Sequence, residues 1–451
     1  MPPSNHAAGN QAKETQPMRS TAREIFLRAL RETSISKAFT RHVQLDRAVL
    51  RVGEDLYDLK RHKRVAVISI GKAAYTMLDA LHQELGDRIT GVAVGASDPV
   101  SPLKGFRYFR GGHPLPNANS VRGAQAILEF LRKRRVSKQQ TPPLVIFLIS
   151  GGGSAIAEKP ISNSITLDDL VATYRALVLS GATIAEINAI RKHLSTIKGG
   201  RMAVAAAGAH QVSILVSDVP ENSPDSLASG PTMPDSSRVQ DCYAIAVKYS
   251  LAEQFPESVR RLFLERRLEE TPKPGDTAFA HSRWWTILSN KHAVQSAAAE
   301  AARSGFAVEI DNRPDDWDYE KAADYLLDRL RALRQGVERV CLISGGEVTV
   351  RVADGGIGGR NQQFVLYCAE KIAGQNITAL SAGTDGIDGN SPAAGAVADG
   401  STLERASKLG HNPAEARKSF NAFPLFEALG DAIITGPTGN NVRDLRILLA
   451  Y

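Results

Sequence analysis

The chain is poor in cysteine and has no long apolar run. Its 451 residues include three cysteines, Cys242, Cys341 and Cys368, which lie far apart, with no Cys-x-x-Cys pair or zinc-ligand spacing. This usage argues against a disulfide framework and a zinc site, and it fits a reducing cytoplasm. The longest apolar candidates, Leu144 to Ile149 and Met202 to Ala209, are far shorter than the roughly eighteen residues of a membrane helix. We therefore expect no membrane association.

Strong net charge is also missing. The formal charge of +7 is modest for this length, and the basic clusters at 60–64 and 132–138 contain no interleaved aromatic residues. Nucleic-acid binding is therefore disfavoured, although a mildly positive field favours phosphorylated ligands. The length exceeds that of a single typical core, which predicts two domains. Residues 1–20 are polar, without the apolar core of a signal peptide, and are predicted to form a disordered tail.

Several nucleotide-binding motifs are absent as well. Gly71-Lys72 lacks the upstream glycine spacing of a P-loop, and the His-Arg-Asp and Asp-Phe-Gly sets of protein kinases do not occur. No dinucleotide fingerprint follows Ile70, and the glycines of Gly355 to Gly359 stand in the wrong order for one. A P-loop fold is excluded, and a nicotinamide-dependent enzyme is disfavoured.

What the chain does contain is short apolar runs that end at glycines. Such runs indicate buried parallel strands, and ligands of α/β sheets usually bind where these strands end. Consecutive N–H groups at a glycine loop can seat a phosphate or carboxylate. Strands alternate with helices along the chain, which predicts an α/β fold with a mostly parallel sheet. Three apolar runs end in such a glycine-containing loop, and these loops are Gly71-Lys72, Ser150-Gly151-Gly152-Gly153-Ser154 and Ser344-Gly345-Gly346-Glu347.

The boundary between the two domains is predicted near residue 275. Thr271 to Asp276 contains two prolines and a glycine between helix-like segments, and the strand–helix alternation restarts after it. The predicted domains are therefore 21–275 and 276–451.

A helix with marked ends carries candidate binding residues. Thr183 to Glu186 forms a capping box and Gly199-Gly200 follows the last turn, so the spacing predicts a helix between them. Helical periodicity places Asn188, Arg191 and Lys198 on one stripe beside the apolar face. Such a stripe is either solvated or reads phosphate or carboxylate, and the sequence leaves both interpretations open.

Two loop aspartates and one histidine complete the candidates. Asp218 follows the predicted strand Gln211 to Val216, and Asp385 lies in a glycine-rich loop. Acidic residues near phosphate-seating glycines are explained by magnesium ligation or by a base that takes a hydroxyl proton, and the sequence does not decide between these roles. His113, in Gly-Gly-His-Pro, is either a general base or, more often, a turn residue.

The order and span of these motifs resemble the class II glycerate 2-kinases, from about Thr21 to Tyr451. The amino-terminal part of the resemblance consists of Ile70 to Ala73, Gly112 to Pro114, Leu148 to Ala155, Asn188 to Gly200, Val216 to Val219 and Ser229 to Thr232. The carboxyl-terminal part is similar to the family's MOFRL domain and consists of Leu342 to Glu347, Gly358 to Gln362 and Gly383 to Gly386.

The resemblance implies a Rossmann-like larger domain and a smaller mixed α/β carboxyl-terminal domain, with the active site in the interdomain cleft. It implies ATP- and magnesium-dependent phosphorylation of D-glycerate to 2-phosphoglycerate. Lys72 and Arg360, the cations that this family places at its active site, are expected to face the phosphoryl group from opposite domains. ATP and D-glycerate are the implied ligands, and the sequence leaves a homodimer open.

Within this interpretation the catalytic candidates are Lys72, Arg360, Asp218 and Asp385, the two aspartates also being candidate magnesium ligands. The substrate- and nucleotide-binding candidates are Ser150, Gly151, Gly152, Gly153, Ser154, Asn188, Arg191, Lys198, Glu347 and Asn361. Two alternatives remain: a hydroxypyruvate reductase, which the missing dinucleotide fingerprint disfavours, and a non-catalytic sensor of a phosphorylated acid.

Overall fold

The computed structural model describes residues 6–62, 64–134, 141–352 and 355–451, with side chains described from Met18 onward. It divides into two compact units. Ile35–Leu288 forms what we call the parallel-sheet unit, and Met1–Ser34 with Ser289–Tyr451 forms the mixed-sheet unit. Helix α1 spans His6–Glu32 and belongs to the mixed-sheet unit.

The parallel-sheet unit contains ten further α-helices and nine strands among its described residues. Its helices are α2 Ile35–His42, α3 Ala74–Leu85, α4 Ala118–Arg132, α5 Gly153–Ile156, α6 Leu167–Leu179, α7 Ile184–His193, α8 Arg201–Ala205, α9 Val239–Lys248, α10 Leu251–Gln254 and α11 Glu257–Leu264. Its strands are β1 Val43–Asp46, β2 Val49–Val52, β3 Asp55–Asp58, β4 Val65–Ile70, β5 Ile89–Gly95, β6 Phe106–Arg110, β7 Leu144–Ser150, β8 His210–Val216 and β9 Ser282–Leu288.

The main sheet of this unit has six strands in the order β6-β5-β4-β7-β8-β9, and every neighbouring pair is parallel. Counted along the chain, this is the 3-2-1-4-5-6 order of doubly wound folds, which confirms the predicted Rossmann-like architecture. β4 and β7 are buried along their whole length, as expected for apolar strands covered on both faces. The strand order reverses between β4 and β7, so ligands are expected at their carboxyl ends. β1, β2 and β3 form a small antiparallel sheet.

The mixed-sheet unit is built around a second six-stranded sheet, in the order β10-β11-β15-β12-β13-β14, in which only β10 and β11 run parallel. Its strands are β10 Ala307–Ile310, β11 Val340–Gly346, β12 Ile377–Gly383, β13 Gly395–Asp399, β14 Ala432–Ile433 and β15 Asp444–Ala450. Its remaining helices are α12 Asn290–Arg303, α13 Tyr319–Arg334, α14 Arg360–Lys371, α15 Thr402–Lys408, α16 Pro413–Lys418 and α17 Ala422–Ala428. The expected mixed α/β unit is therefore present.

The unit boundary differs from the predicted one. The parallel-sheet unit continues to Leu288, because β9 pairs with β8 and completes the six-stranded sheet. The predicted linker precedes this last strand. Helix α1 also leaves the expected domain: Ile25 and Phe26 are buried in a hydrophobic cluster with Ile447 of β15.

The predicted disordered tail overlaps helix α1. Residues 6–20 lie in this helix, and residues 1–5 lie outside the described residues. Arg19 stabilises the end of the predicted tail within this helix. The Arg19 guanidinium is ion-paired with Asp399 and lies 3.4 Å from an Asp431 oxygen. Asp399 is 380 residues away along the chain and Asp431 is farther still, so the composition of a polar segment alone does not indicate these contacts.

The three cysteines are buried free thiols. None of the helices within the described ranges has both the length and the apolar character required to span a bilayer. In the same ranges, no group of three or more His, Cys, Asp or Glu side chains is arranged to hold a metal ion.

Candidate active site

The loops after β4 and β7 are joined at the point where the strand order reverses. The Ser150 hydroxyl accepts a hydrogen bond from the Ala73 N–H at 3.0 Å, and the Lys72 N–H donates to the Gly151 carbonyl at 2.9 Å. Gly71 has φ +123°, and a Cβ there would lie 2.2 Å from the Ser150 hydroxyl oxygen. Only glycine permits this approach. The structure thus brings Lys72 to the triple-glycine loop.

Asp218 lies at the same edge. β8 runs beside β7, with Val216 opposite Ser150, so the chain leaves both strands at the same level. A Cβ on Gly151 would fall 1.8 Å from an Asp218 carboxylate oxygen, which shows that this carboxylate lies directly against the loop. A side chain at position 151 would displace it.

A serine pair links the glycine loop to helix α7. The Ser154 and Ser229 hydroxyls are 2.8 Å apart, and Ser229 donates to the Asn188 side-chain oxygen at 3.4 Å. Ala228 and Ser229 both have positive φ, which is strained for residues other than glycine. Strain of this kind persists where the surroundings enforce it, often at functional sites. Ser229, which the sequence placed only within a motif of the family resemblance, therefore joins the site.

A cavity of about 500 Å³ opens beside this loop within the parallel-sheet unit. Its polar and charged lining includes Arg191, whose guanidinium carbon lies 4.7 Å from the Tyr174 ring centre. Arg191 Nε is buried and has no hydrogen-bond partner in the described part of the chain, and burial lowers the Arg191 pKa. The arrangement suits an anionic ligand group, because a guanidinium binds carboxylate or phosphate through paired donors. The full lining is His113, Pro114, Leu115, Gly152, Ser154, Ala155, Tyr174, Arg175, Val178, Leu179 and Arg191.

Lys198 does not join this cavity, contrary to the sequence-based expectation. Helix α7 ends at His193, so the helical spacing that placed Lys198 beside Arg191 does not extend that far. The Lys198 side chain is buried and ion-paired with Glu158, which also accepts a hydrogen bond from Ser195 at 2.6 Å. Burial holds the Lys198 pKa well below its ordinary value. We therefore assign Lys198 to the core.

Glu158 offers a stability test of this assignment. Replacing Glu158 with Gln should lower the free energy of unfolding by about 3 kcal/mol, because breaking a buried pair leaves an uncompensated charge. Urea denaturation measures the loss. As a matched control, Glu404→Gln removes a solvent-exposed partner of Lys408 and should leave the midpoint unchanged. A Glu158→Gln midpoint equal to that of the wild type would mean that Lys198 is buried neutral and needs no partner.

In the mixed-sheet unit, Arg360 opens helix α14 and is held by two carboxylates. Its guanidinium donates to both Asp444 oxygens, at 2.6 and 3.0 Å, and lies 3.0 Å from Glu347. Burial alone would lower the Arg360 pKa, but the Asp444 and Glu347 charges outweigh it and raise the pKa. Arg360 is therefore a fixed, fully charged cation whose side chain is still 35% exposed.

Asp444 was missed in the sequence, and the sheet topology explains why. β15 runs antiparallel between β11 and β12, so Asp444, its first residue, lies opposite Gly346 and Gly383, the last residues of those strands. Ligands of α/β sheets are expected at the residues that follow strands, and this aspartate begins one. Only the pairing of β15 with both neighbours could have shown its position.

Asp385 lies beside Asp444 at this edge. A Cβ on Gly383 would be 3.0 Å from an Asp385 oxygen and 3.4 Å from an Asp444 oxygen. The Asp385 carboxylate also accepts the Ile387 N–H at 3.1 Å, which stabilises its own turn. The structure therefore gathers Glu347, Arg360 and Asp385 around the same strand ends.

Asn361 does not present its side chain to a ligand. It is buried, and its amide donates to Asp388 at 3.3 Å, while its oxygen accepts from Ser381. Asp388 also accepts the N–H groups of Asn361 and Gln362, at 3.1 and 2.9 Å, and so caps α14. Burial raises the Asp388 pKa to about 6, despite these hydrogen bonds. Asn361 and Asp388 position the start of the helix that carries Arg360.

Comparison with known proteins agrees with this two-unit α/β architecture. Residues 21–264 match the family model described as "Domain of unknown function (DUF4147)", and residues 340–444 match the MOFRL family. A D-glycerate 2-kinase from Thermotoga maritima is 36% identical over 394 residues, which are 85% of this chain and 90% of the relative. The chain belongs to the glycerate 2-kinase family.

Two further similarities bear on function. The crystal structure of a glycerate kinase from Thermotoga maritima superposes with a TM-score of 0.82 at 32% identity, covering 97% of this chain and 100% of that one. A relative from Agrobacterium vitis, whose name provisionally assigns it hydroxypyruvate reductase activity, is 34% identical over 86% of this chain and 87% of its own. The family resemblance is confirmed, and the reductase alternative requires an answer from the site.

Proposed function

We propose that the protein phosphorylates D-glycerate at the 2-position with ATP and magnesium. The observation that carries this proposal is Lys72, held at the edge of a triple-glycine loop where the sheet order reverses. Phosphoryl transfer depends mainly on positioning and charge neutralisation, which lysine, arginine and backbone N–H groups supply. The family membership supports the same reaction.

In the parallel-sheet unit, Lys72 would neutralise the transferring phosphoryl group. Its ammonium has no hydrogen bond or ion pair within the described ranges, and its side chain is exposed. The loop Ser150 to Ser154 would bind phosphate or glycerate oxygens. Arg191 would bind the glycerate carboxylate, because its buried Nε still lacks a partner in the part of the chain that the structure describes.

In the mixed-sheet unit, Arg360 would stabilise the negative charge of the transferring group. Asp444 and Glu347 hold its guanidinium in one orientation and keep it charged. A held cation loses little conformational freedom when it meets the phosphoryl group. Lys72 and Arg360 lie in different units, and their convergence on one phosphoryl group stays a prediction.

The residues at the glycine loop fit a magnesium ion. Mg²⁺ is commonly bound by one or two carboxylates together with substrate phosphates rather than by a cage of protein ligands. Asp218 offers one carboxylate directly against a phosphate-type loop, and we assign it as the principal ligand. Asp385, at the edge that carries Arg360, is the second candidate. When bound, magnesium would neutralise phosphate charge.

The reductase alternative has one structural argument in its favour, since dinucleotide-binding domains share this strand order. However, the loop after β4 carries Lys72 in place of the glycines that let a pyrophosphate approach the backbone. Cofactor use separates the two reactions. We expect ADP release from ATP, magnesium and D-glycerate, and no NADH oxidation with hydroxypyruvate. The opposite pattern would falsify the proposal, and binding without either turnover would favour the sensor.

A further inference from the structure

His113 lies in the cavity, although the roles assigned above do not use it. It belongs to the segment between β6 and α4, and it lines the cavity together with Gly152 and Arg191. A Cβ on Gly152 would lie 3.0 Å from His113 Cδ2, 3.2 Å from His113 Nε2 and 3.1 Å from Lys72 Cγ. Gly152 has φ +76°, so the backbone itself favours glycine there. The imidazole and the Lys72 chain therefore both lie against the same bare backbone position.

The imidazole is available for chemistry. No hydrogen bond or ion pair engages it within the described ranges. The charge that acts on it is that of Lys72, from the loop after β4, and the other titratable groups that line its cavity are Tyr174 and Arg175, from α6, and Arg191, from α7. Burial, and then the charge of Lys72, lower the His113 pKa, so the ring is neutral near pH 7 and has a nitrogen lone pair to offer.

We propose that His113 is a catalytic residue: its Nε2 accepts the proton of the substrate hydroxyl as that oxygen attacks the terminal phosphate. This inference rests on the proposed kinase function. A bond forms between the hydroxyl oxygen and the γ-phosphorus, and the bond from that phosphorus to the β–γ bridging oxygen breaks. ADP leaves with the electron pair, and the proton passes from the hydroxyl to Nε2. The imidazolium then returns it to water.

This assignment gives the roles of proton acceptor and magnesium ligand to different residues, whereas the sequence left both roles open for Asp218 and Asp385. Asp385 already accepts the Ile387 N–H, and it belongs to the mixed-sheet unit. Asp218 lies against Gly151, at the phosphate-type loop, where a carboxylate is suited to magnesium. His113 lines the cavity together with Arg191, the proposed carboxylate ligand, and its neutral ring can accept a proton. A general base must lie within hydrogen-bonding reach of the hydroxyl, and the most frequent general base is histidine.

The test compares His113→Ala and His113→Asn with the wild type over a range of pH. Both variants should lose about a hundredfold in kcat, with little change in the KM for ATP. The wild-type rate should fall on the acidic side, with a midpoint below pH 6.5, because protonation removes the base. The variants should lack this acidic limb. Added imidazole should restore part of the His113→Ala rate, which a purely structural role would not allow.

A matched control is His82→Asn, on α3 of the same unit, whose side chain is 35% exposed and lies beside Asp87. It should retain the wild-type rate and pH profile. If the wild type releases ADP but both His113 variants keep the wild-type rate and acidic limb, His113 is not the base. A slow His113→Ala variant that imidazole does not accelerate, with the acidic limb intact, also overturns it. If the wild type releases no ADP, the proposed function itself fails.

Discussion

Replacing Arg360 with alanine should lower kcat on the order of a thousandfold, with a milder effect on the affinity for ATP. Arginines that act in phosphoryl-transfer transition states are worth about 10³ to 10⁵ in turnover. An interaction that strengthens only in the transition state changes kcat more than binding. Arg360→Lys should also be slow, because an ammonium cannot reproduce the two-point geometry that Asp444 now holds. Steady-state kinetics of both variants measure these effects.

Arg329→Ala is the matched control for this experiment. Arg329 makes a two-point contact with Glu309 in the same unit, at 2.5 and 2.8 Å, but it is not among the residues around Asp444. Its removal should leave kcat unchanged. If Arg360→Ala keeps the wild-type kcat, or if Arg360→Lys is as fast as the wild type, a planar cation does not stabilise the transferring group, and the pair with Asp444 is only structural.

Replacing Asp218 with asparagine should lower kcat by at least about a hundredfold. Loss of a residue in the outer shell of a metal site can already cost that much, and Asp218 is assigned as a direct ligand. The variant should also need more magnesium, because asparagine keeps the size of the side chain but loses its charge. Asp385→Asn should also lower kcat, because it removes the carboxylate of the second candidate magnesium ligand. Both variants should keep the fold, since neither side chain belongs to the hydrophobic core. A magnesium titration of each variant checks these expectations.

Asp98→Asn is the control for the two aspartates. Asp98 is exposed and lies 3.1 Å from Arg110 in the parallel-sheet unit. It should retain both the rate and the magnesium dependence of the wild type. Wild-type rates in Asp218→Asn and Asp385→Asn at every magnesium concentration would show that these aspartates are structural, and the metal assignment would be wrong.

Much of the parallel-sheet edge could be predicted from the sequence. β4 and β7 are apolar runs that stop at Gly71 and at Gly151, so the position of each loop follows from a local pattern. Asp218 follows β8 in the same way. These residues are neighbours because parallel strands end at one edge, a rule that requires no knowledge of the side-chain packing.

The positions of the remaining site residues are determined by contacts between distant parts of the chain, which a local sequence pattern does not indicate. Lys198 was placed by continuing the spacing of α7, but the helix ends at His193 and the lysine turns inward to Glu158. Asp444 reaches Arg360 only because β15 is inserted antiparallel between two strands. Glu347, the second carboxylate on Arg360, follows the end of β11 and lies outside the helix that Arg360 opens.

The position of helix α1 also depends on contacts between residues that are distant along the chain, which a local sequence pattern does not show. Its apolar residues are evident in the sequence, but the surface that they cover belongs to strands at the opposite end of the chain. The predicted boundary near residue 275 placed residues 21–32 of this helix in the first domain. In the structure Phe26 is buried against the sheet of the mixed-sheet unit, so the helix belongs to that unit.

Phosphorus NMR of the reaction product tests the central claim most directly. The purified protein would be incubated with ATP, magnesium and D-glycerate, and the phosphorus signal assigned through its coupling to the glycerate protons. We predict ADP together with a phosphate ester on the 2-oxygen, which couples to the single proton at that carbon. An ester on the 3-oxygen, which couples to two protons, would contradict the assigned position. The absence of any new ester, with ATP intact, would contradict the kinase function.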